Sequence, residues 1–541
     1  MMEKILRWTE INILSLGKEL RLSYLPPLMV YVAFGISGLT GIVGTFFVKD
    51  YLGLSAAFLA VLGFWAGIPW ALKMPLGHLV DLIWRWKSWM VFLGAGLIAA
   101  SLLIMVGLLS DRDAMTAVMP AEAWFVLSAL LAPIGYVVQD VVADAMTVEA
   151  VPRLDADGNP IPQEARKLMN TTMQTLGRVA LIGSLALVAA VNLYLFSDVE
   201  KLSEAQKLGV YRQIYLTALV IPLISVAGIA LAFLLRERDI RRHVAQGMDA
   251  AEAQKLYTQQ GERPEPNWWI LGGSLGFVVF TLGMGLGNLP YNQEIILAGS
   301  LGIILFLIAK LTRALEPEAR ATLIGTAIVI FVFRSVPTPG EGLTWWFIDE
   351  LKFDQRFFAV LSLVASVLTL FGMFLFRRFM AERSIAYVVG FLTLVGGVLS
   401  LPVVGLYYGL HQWTAALTGG VVDARFIVLV NTALESPLGQ IAMIPMLAWI
   451  ANSAPTNLKA TYFAVMASFT NLALSTSLLG TKYLNQLFVI SREVRDPATG
   501  TVTTPADYSQ LGDLLIAQLV MAFLLPFAAI LIIRWARLRS A

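Results

Sequence analysis

The chain has 541 residues, of which 57% are hydrophobic and only 14% charged, with a mean hydropathy of +0.72 and a formal net charge of +2. Soluble domains are about 45 to 50% apolar and about 25% charged, so a soluble globular protein is excluded. Cysteine is absent, which rules out disulfides and thiolate metal sites. The three histidines, His78, His243 and His411, stand too far apart in sequence to suggest a His-rich metal site.

The stretch Met1 to Arg21 is amphipathic and of mixed charge, without the short apolar core and small-residue cleavage site of a signal peptide, so no segment is expected to be removed there. Apolar runs long enough to span a bilayer follow near 24–48, 55–73, 89–109, 122–149, 169–195 and 213–235. A hydrophilic stretch from Arg236 to Pro266 leads to two more runs, near 268–288 and 293–310. Six further runs lie near 321–339, 356–376, 385–410, 424–451, 460–487 and 511–534. This gives about fourteen segments, the pattern of an all-α polytopic membrane protein. Alternating them from a cytoplasmic N-terminus puts most of the 39 lysines and arginines on the side of both termini, as expected of an inner-membrane protein with both ends in the cytoplasm. The part Met248 to Gln260 of the hydrophilic stretch has the composition of an amphipathic surface helix. Arg492 to Gln510, with Asp496-Pro497-Ala498-Thr499-Gly500, reads as a turn-rich loop.

Two sites recur in order. Gly77 to Lys87 follows segment 2, and Gly372 to Phe379 follows the second helix of the later six. Pro133-Ile134-Gly135 lies in segment 4 and Pro437-Leu438-Gly439 in segment 12. A duplicated six-helix unit explains this, with a helix pair inserted between the copies. The expected units are 1–236, a cytoplasmic linker 237–267, the inserted pair 268–310, and 311–541. Parallel repeats of this kind occur in transporters, whose sites lie near the midplane between the halves.

Gly77-x-x-x-Asp81-x-x-x-Arg85-x-Lys87 resembles the loop signature of the major facilitator superfamily. A sharper resemblance, to the folate-biopterin transporter family, rests on five stretches in the correct order. They are Gly35 to Leu39 with Phe46 to Ser55, Gly67 to Gly77, Asp140 to Ala145, Pro337 to Pro339 with Trp345 to Phe353, and Ala454-Pro455 with Ala460 to Asn471. The chain departs from that pattern in its extra helix pair and in the separation of Lys73 from Pro75. The resemblance implies two rocking six-helix bundles. It further implies a secondary transporter moving a folate- or pterin-like organic anion with protons. The alternative is a membrane assembly or pigment-delivery factor on the same scaffold, with a protein partner docked on 268–310, where Gly283, Gly285 and Gly287 allow close contact.

Charges inside hydrocarbon are costly and mark function by default. Asp140 and Arg178 fall at matching depths on consecutive antiparallel segments. They form either a proton- and substrate-responsive pair or a salt bridge that only neutralises buried charge. Asp144, one turn nearer the cytoplasm, is assigned to an inner gate with Asp81, Arg85, Lys87 and Gly77. In the superfamily that loop aspartate is held to meet a helix N-terminus. Glu149 is expected to meet water or Arg153. Glu435, with Asn431 and Gln440, and Asn471 are the candidates of the second half. Tyr136, one turn from Asp140, is the favoured stacking residue for a flat ring. Trp345 and Trp346 are expected in an interfacial belt, and Arg334 at an external gate or snorkelling to the interface. No phosphate-cradling loop, nucleophile elbow, metal-ligand cluster or nucleic-acid signature is found, so no enzyme and no cofactor are expected.

Overall fold

The computed structural model describes residues 20–52, 54–71, 73–83, 86–151, 161–197, 199–258, 268–286, 290–311, 316–376, 379, 383–439, 441, 459–495 and 502–540. In the first half, α1 (Leu25–Ile36) passes through a 3-10 turn at Ser37–Thr40 into α2 (Gly41–Tyr51). Next come α3 (Ala56–Ala71), α4 (Lys73–Leu82), α5 (Ser88–Ser110), α6 (Ala121–Ala150), α7 (Gln163–Leu195), α8 (Glu204–Ala218) and α9 (Val220–Ala245). The linker holds α10 (Ala250–Thr258), on the stretch whose composition suggested a surface helix, and the inserted pair is α11 (Trp268–Leu286) and α12 (Asn292–Leu311). The second half comprises α13 (Pro317–Arg334), α14 (Glu341–Asp349), α15 (Gln355–Leu375), α16 (Ile385–Tyr407), α17 (Ala424–Glu435), α18 (Lys459–Leu487) and α19 (Leu511–Trp535). Among the described residues, nine helices are long and apolar enough to cross a membrane.

Local chemistry sets the helix ends. Pro317 opens α13 at a position whose N–H would have no helical partner anyway. Asp354, Ser384 and Asp423 cap α15, α16 and α17 by accepting from the backbone N–H of Phe357, Tyr387 and Phe426. Segment 2 is longer than its apolar run suggested. Helix continues through α4 to Leu82, because Gly77 and His78 are tolerated in a helix held by packing against its neighbours. Segment 9 is shorter, since α13 ends at Arg334 ahead of Pro337 and Pro339.

Ser23 Oγ donates to Ala150 O, Ala386 N donates to Ser540 Oγ, and Arg539 pairs with Glu318. These contacts define a terminal face, which carries both described chain ends. The opposite face carries the loops after α2, α14 and α18. There, within the expected turn-rich stretch, β1 (Val494–Arg495) pairs antiparallel with β2 (Val502–Thr504) as a small hairpin, while Asp496 to Gly500 lie outside the described residues. Its β-branched Val494, Val502, Thr503 and Thr504 favour strand geometry. Trp345 and Trp346 are only 1% and 6% exposed, packed with Phe353, Tyr407 and Leu511 beneath this hairpin. They are core residues and not a belt, because α14 lies between the two halves and not at a lipid surface.

Each half packs through small residues. A Cβ on Gly94 of α5 would lie 2.6 Å from Gly135 O, and one on Gly135 of α6 would lie 2.7 Å from Gly94 O. Pro437 and its neighbours press instead on Gly372, which lies inside α15, so the two repeated Pro-x-Gly sites are packed differently. The halves meet along α3 and α18 and along α7 and α15. The inserted pair lies beside the first of these seams. Ile296 of α12 and Phe280 of α11 pack with Phe64, Ile68 and Leu479, and Lys482 of α18 pairs with Glu294 at 2.9 Å. Gly272, Gly276 and Gly283 face open space on the outer side of α11.

Gly135→Val is expected to lower stability by about 1 to 3 kcal/mol through overpacking of α5 on α6. Gly183→Ala, where a Cβ meets nothing within 4 Å, should leave the melting temperature unchanged or slightly raised. Thermal unfolding in detergent checks this, and equal effects at the two positions would refute the close-approach argument.

Candidate substrate and coupling site

Four helices of the first half converge on one cluster. α6 carries Tyr136, Asp140 and Asp144 at one-turn intervals, so all three share a face. The rotation of α6 is fixed from behind by buried Gln139, which donates to Val91 O at 3.1 Å and to Ser225 Oγ at 3.0 Å. Lys73 is the first residue of α4, four residues after Pro69. Its Nζ lies 2.6 Å from Asp140 Oδ2 and 2.7 Å from Asp144 Oδ2. Tyr31 of α1 donates its hydroxyl to Asp144 Oδ1 at 2.7 Å. Gly177 lets α7 approach the Tyr31 ring, which a Cβ would meet at 3.0 Å. The next residue, Arg178, thereby exerts its charge on Asp140 and Tyr31, while making no ion pair among the described residues.

One ammonium group thus serves two carboxylates. Lysine has three N–H donors, and two are spent here. With all four groups ionised, Lys73 and Arg178 balance Asp140 and Asp144, and the cluster is neutral overall. It is not sealed: the side chains of Lys73, Asp140 and Asp144 are 18%, 13% and 41% exposed. Beside it lies an aromatic group. The Phe34 ring is 5.4 Å from both Trp70 and Tyr136, and all three rings are half-buried. Asn471 of α18 crosses from the other half and donates to Trp70 O at 3.1 Å.

The expected division of the two aspartates by depth is not how they are arranged. Asp144 joins Asp140 on Lys73, because a lysine at the start of α4 reaches both turns of α6. Arg178 lies near Asp140, yet Lys73 is the ion-pair partner. Gly77 lies in α4 and Lys87 is buried at the start of α5. The side chains of Asp81 and Glu149, and all of Arg85, Arg153 and Gln440, lie outside the described residues. Glu435 is exposed at the end of α17, away from any ionic partner among the described residues, and Asn431 is buried with Oδ1 unsatisfied. Arg334 is half-buried at the end of α13. Tyr31, Phe34 and Trp70 were not singled out from sequence, and Lys73 stood out only for its separation from Pro75, not as a site residue. A lysine directly after an apolar run containing Pro69 was the available signal, but it reads equally as the first residue of a loop.

Residues 212–540 match the BT1 family. The chain belongs to the BT1 family. It is 23% identical over 451 residues to a folate-biopterin transporter of Synechocystis sp., covering 82% of this chain and 71% of that protein. Solved structures with the same fold include a POT family transporter in complex with 5-aminolevulinic acid, at TM-score 0.60 and 12% identity, covering 94% of this chain and 95% of that one. Another is the nucleoside transporter NupG, at TM-score 0.52 and 12% identity, covering 94% and 99%. The fold is therefore that of the major facilitator superfamily, and this BT1 member is an integral membrane transporter.

Removing the shared cation strands two carboxylates. Lys73→Met is expected to destabilise the protein by about 3 to 5 kcal/mol, read as a lowered melting temperature in detergent. Adding Asp140→Asn and Asp144→Asn should recover most of the loss. If the triple variant melts no higher than Lys73→Met, unpaired charge is not the cause.

Proposed function

We propose that this BT1 member is a secondary active transporter that alternates access to a site in its first half and couples an organic anion with a flat ring, of the folate or pterin class, to protons. The observation that carries this is the cluster of Lys73, Asp140, Asp144 and Arg178, two cations with two carboxylates, beside three half-buried aromatic rings. A carboxylate entering a neutral, poorly solvated cluster adds one uncompensated negative charge. A proton taken up by Asp140 or Asp144 restores neutrality, so anion and proton travel together. Arg178, not bound to either aspartate, offers a planar fork to the substrate carboxylate. Phe34, Trp70 and Tyr136 offer faces for the ring. Glu435 and Asn431 are the second half's candidates for contact. Both termini lie in the cytoplasm on this reading, in accord with the lysine and arginine bias. Supporting the substrate class is the name of the Synechocystis relative, a folate-biopterin transporter.

The test is uptake of labelled folate and biopterin into vesicles under an imposed proton gradient. Arg178→Ala is expected to raise KM by about 10- to 100-fold, the worth of a charge-assisted hydrogen bond. Asp140→Asn should abolish gradient-driven accumulation while retaining exchange of external for internal substrate. Variants that reach the membrane and transport as the unaltered protein does would refute the assignment of the site, and the absence of uptake of either compound would refute the substrate class.

A further inference from the structure

The opposite face holds a second set of buried charges. Lys49, at the end of the first membrane helix, is bound at 2.5 Å to Asp349, at the end of α14, with side chains only 5% and 10% exposed. It is the one ion pair among the described residues that joins the two halves. Asp349 is also held by the hairpin. Tyr508 donates its hydroxyl to Oδ2 at 2.5 Å, and the backbone N–H of Glu493 points to the same oxygen at 3.4 Å. Burial and that carboxylate push the Tyr508 hydroxyl well above its ordinary pKa, so it keeps its proton and stays a donor. The hairpin is anchored in the second half, where Tyr407 donates to Tyr508 O and Ser509 O, both at 3.0 Å. It reaches the first half through Arg492, which donates to Leu54 O and lies 4.7 Å over the Trp345 ring. Below these contacts Gln355 donates to Tyr211 at 2.9 Å, and Phe46 meets Phe358 edge-on at 6.0 Å.

Such a contact differs physically from the rest of the seam. Between α3 and α18 the groups that meet are small or uncharged, as where Gly63 and Gly67 lie against Leu478 and Ser475 and Asn471 meets Trp70 O. A buried ion pair contributes little net stability over apolar packing, since desolvation offsets the attraction. Its charges are well solvated once water reaches them, so it closes a seam that must reopen. We propose that Lys49, Asp349 and Arg492 form a latch, strapped by the paired backbone around Glu493 and Tyr508, that closes the opposite face of the transport path and must open in each cycle. This rests on the alternating-access reading given above.

The absence of native cysteine makes spin labelling direct. One pair of labels, at Ala205→Cys and Ala416→Cys, spans the halves on the opposite face. A second, at Ala245→Cys and Ala536→Cys, spans them on the terminal face. All four positions are exposed. Distance distributions are measured in lipid nanodiscs with and without folate. Lys49→Gln and Asp349→Asn are each expected to raise the population with separated opposite-face labels roughly tenfold, with a matching approach of the terminal-face labels. Lys49→Arg, which keeps the pair, should match the unaltered protein. Tyr508→Phe, which leaves the ion pair intact and so folds more readily, should give a smaller shift in the same direction. If folate shifts the unaltered protein's distances but Lys49→Gln, Asp349→Asn and Tyr508→Phe all match it, the latch is overturned and alternating access stands. If no ligand and no variant moves either pair, alternating access itself falls, and the latch with it.

Discussion

The ammonium group of Lys73, shared between Asp140 and Asp144, is the contact on which the first half depends. Two carboxylates one turn apart repel, and in a weakly solvated site neither stays ionised without a cation at hydrogen-bond distance. Lys73 supplies that cation because it lies on α4 opposite both turns of α6, and because α6 is held in one rotation. Gln139 fixes that rotation through α5 and α9, and Gly94 and Gly135 bring the helix axes close enough for it to do so. Tyr31 then completes Asp144, and Gly177 brings Arg178 alongside. The small residues are thus part of the electrostatic arrangement: they set the distances at which charge can be balanced.

The two halves contribute unequally. Every ion pair of the central cluster lies in the first half, while the second sends one amide, Asn471, to the carbonyl of Trp70. That amide sits three residues from Lys73, at the seam between α3 and α18. A shift of α18 against α3 therefore acts on the backbone that positions Lys73. On the alternating-access reading, this is a physical route by which movement of one half would reach the charges in the other. The inserted pair is fastened differently. Its ion pair joins Glu294 to Lys482 in the second half, and its contacts with Phe64 and Ile68 in the first are apolar.

Much of this architecture was legible in the sequence, because hydrophobic run length is a strong signal in lipid. Among the described residues, helix falls on each of the apolar stretches. The costly charges Asp140, Asp144 and Arg178 stood out for the same reason. What composition could not show was which cation serves which anion. Lys73 reads as a loop residue because an apolar run ends there, whereas tertiary packing extends the helix to Leu82. Trp345 and Trp346 read as belt residues because a loop follows Pro337, yet α14 folds between the halves. Lys49, Asp349 and Tyr508 lie 159 or more residues apart, and nothing local marks them as partners.

Charge and apolar surface divide the work between the halves. In lipid, apolar contact between helices has little advantage over contact with acyl chains. The seams of α3 with α18 and of α7 with α15 are therefore held by close fit, and they can pivot without large loss. Closure at one face needs contacts whose strength depends on the absence of water. Lys49 and Asp349 are of that kind, strong when dry and weak when wet. Lys73, Asp140 and Asp144 obey the same physics at the centre, where partial exposure already admits water or a ligand. On the alternating-access reading, a seam of close apolar fit with water-sensitive charges beside its centre and at one end favours two arrangements over those between them, and the placement of so few charges in so apolar a chain accords with that.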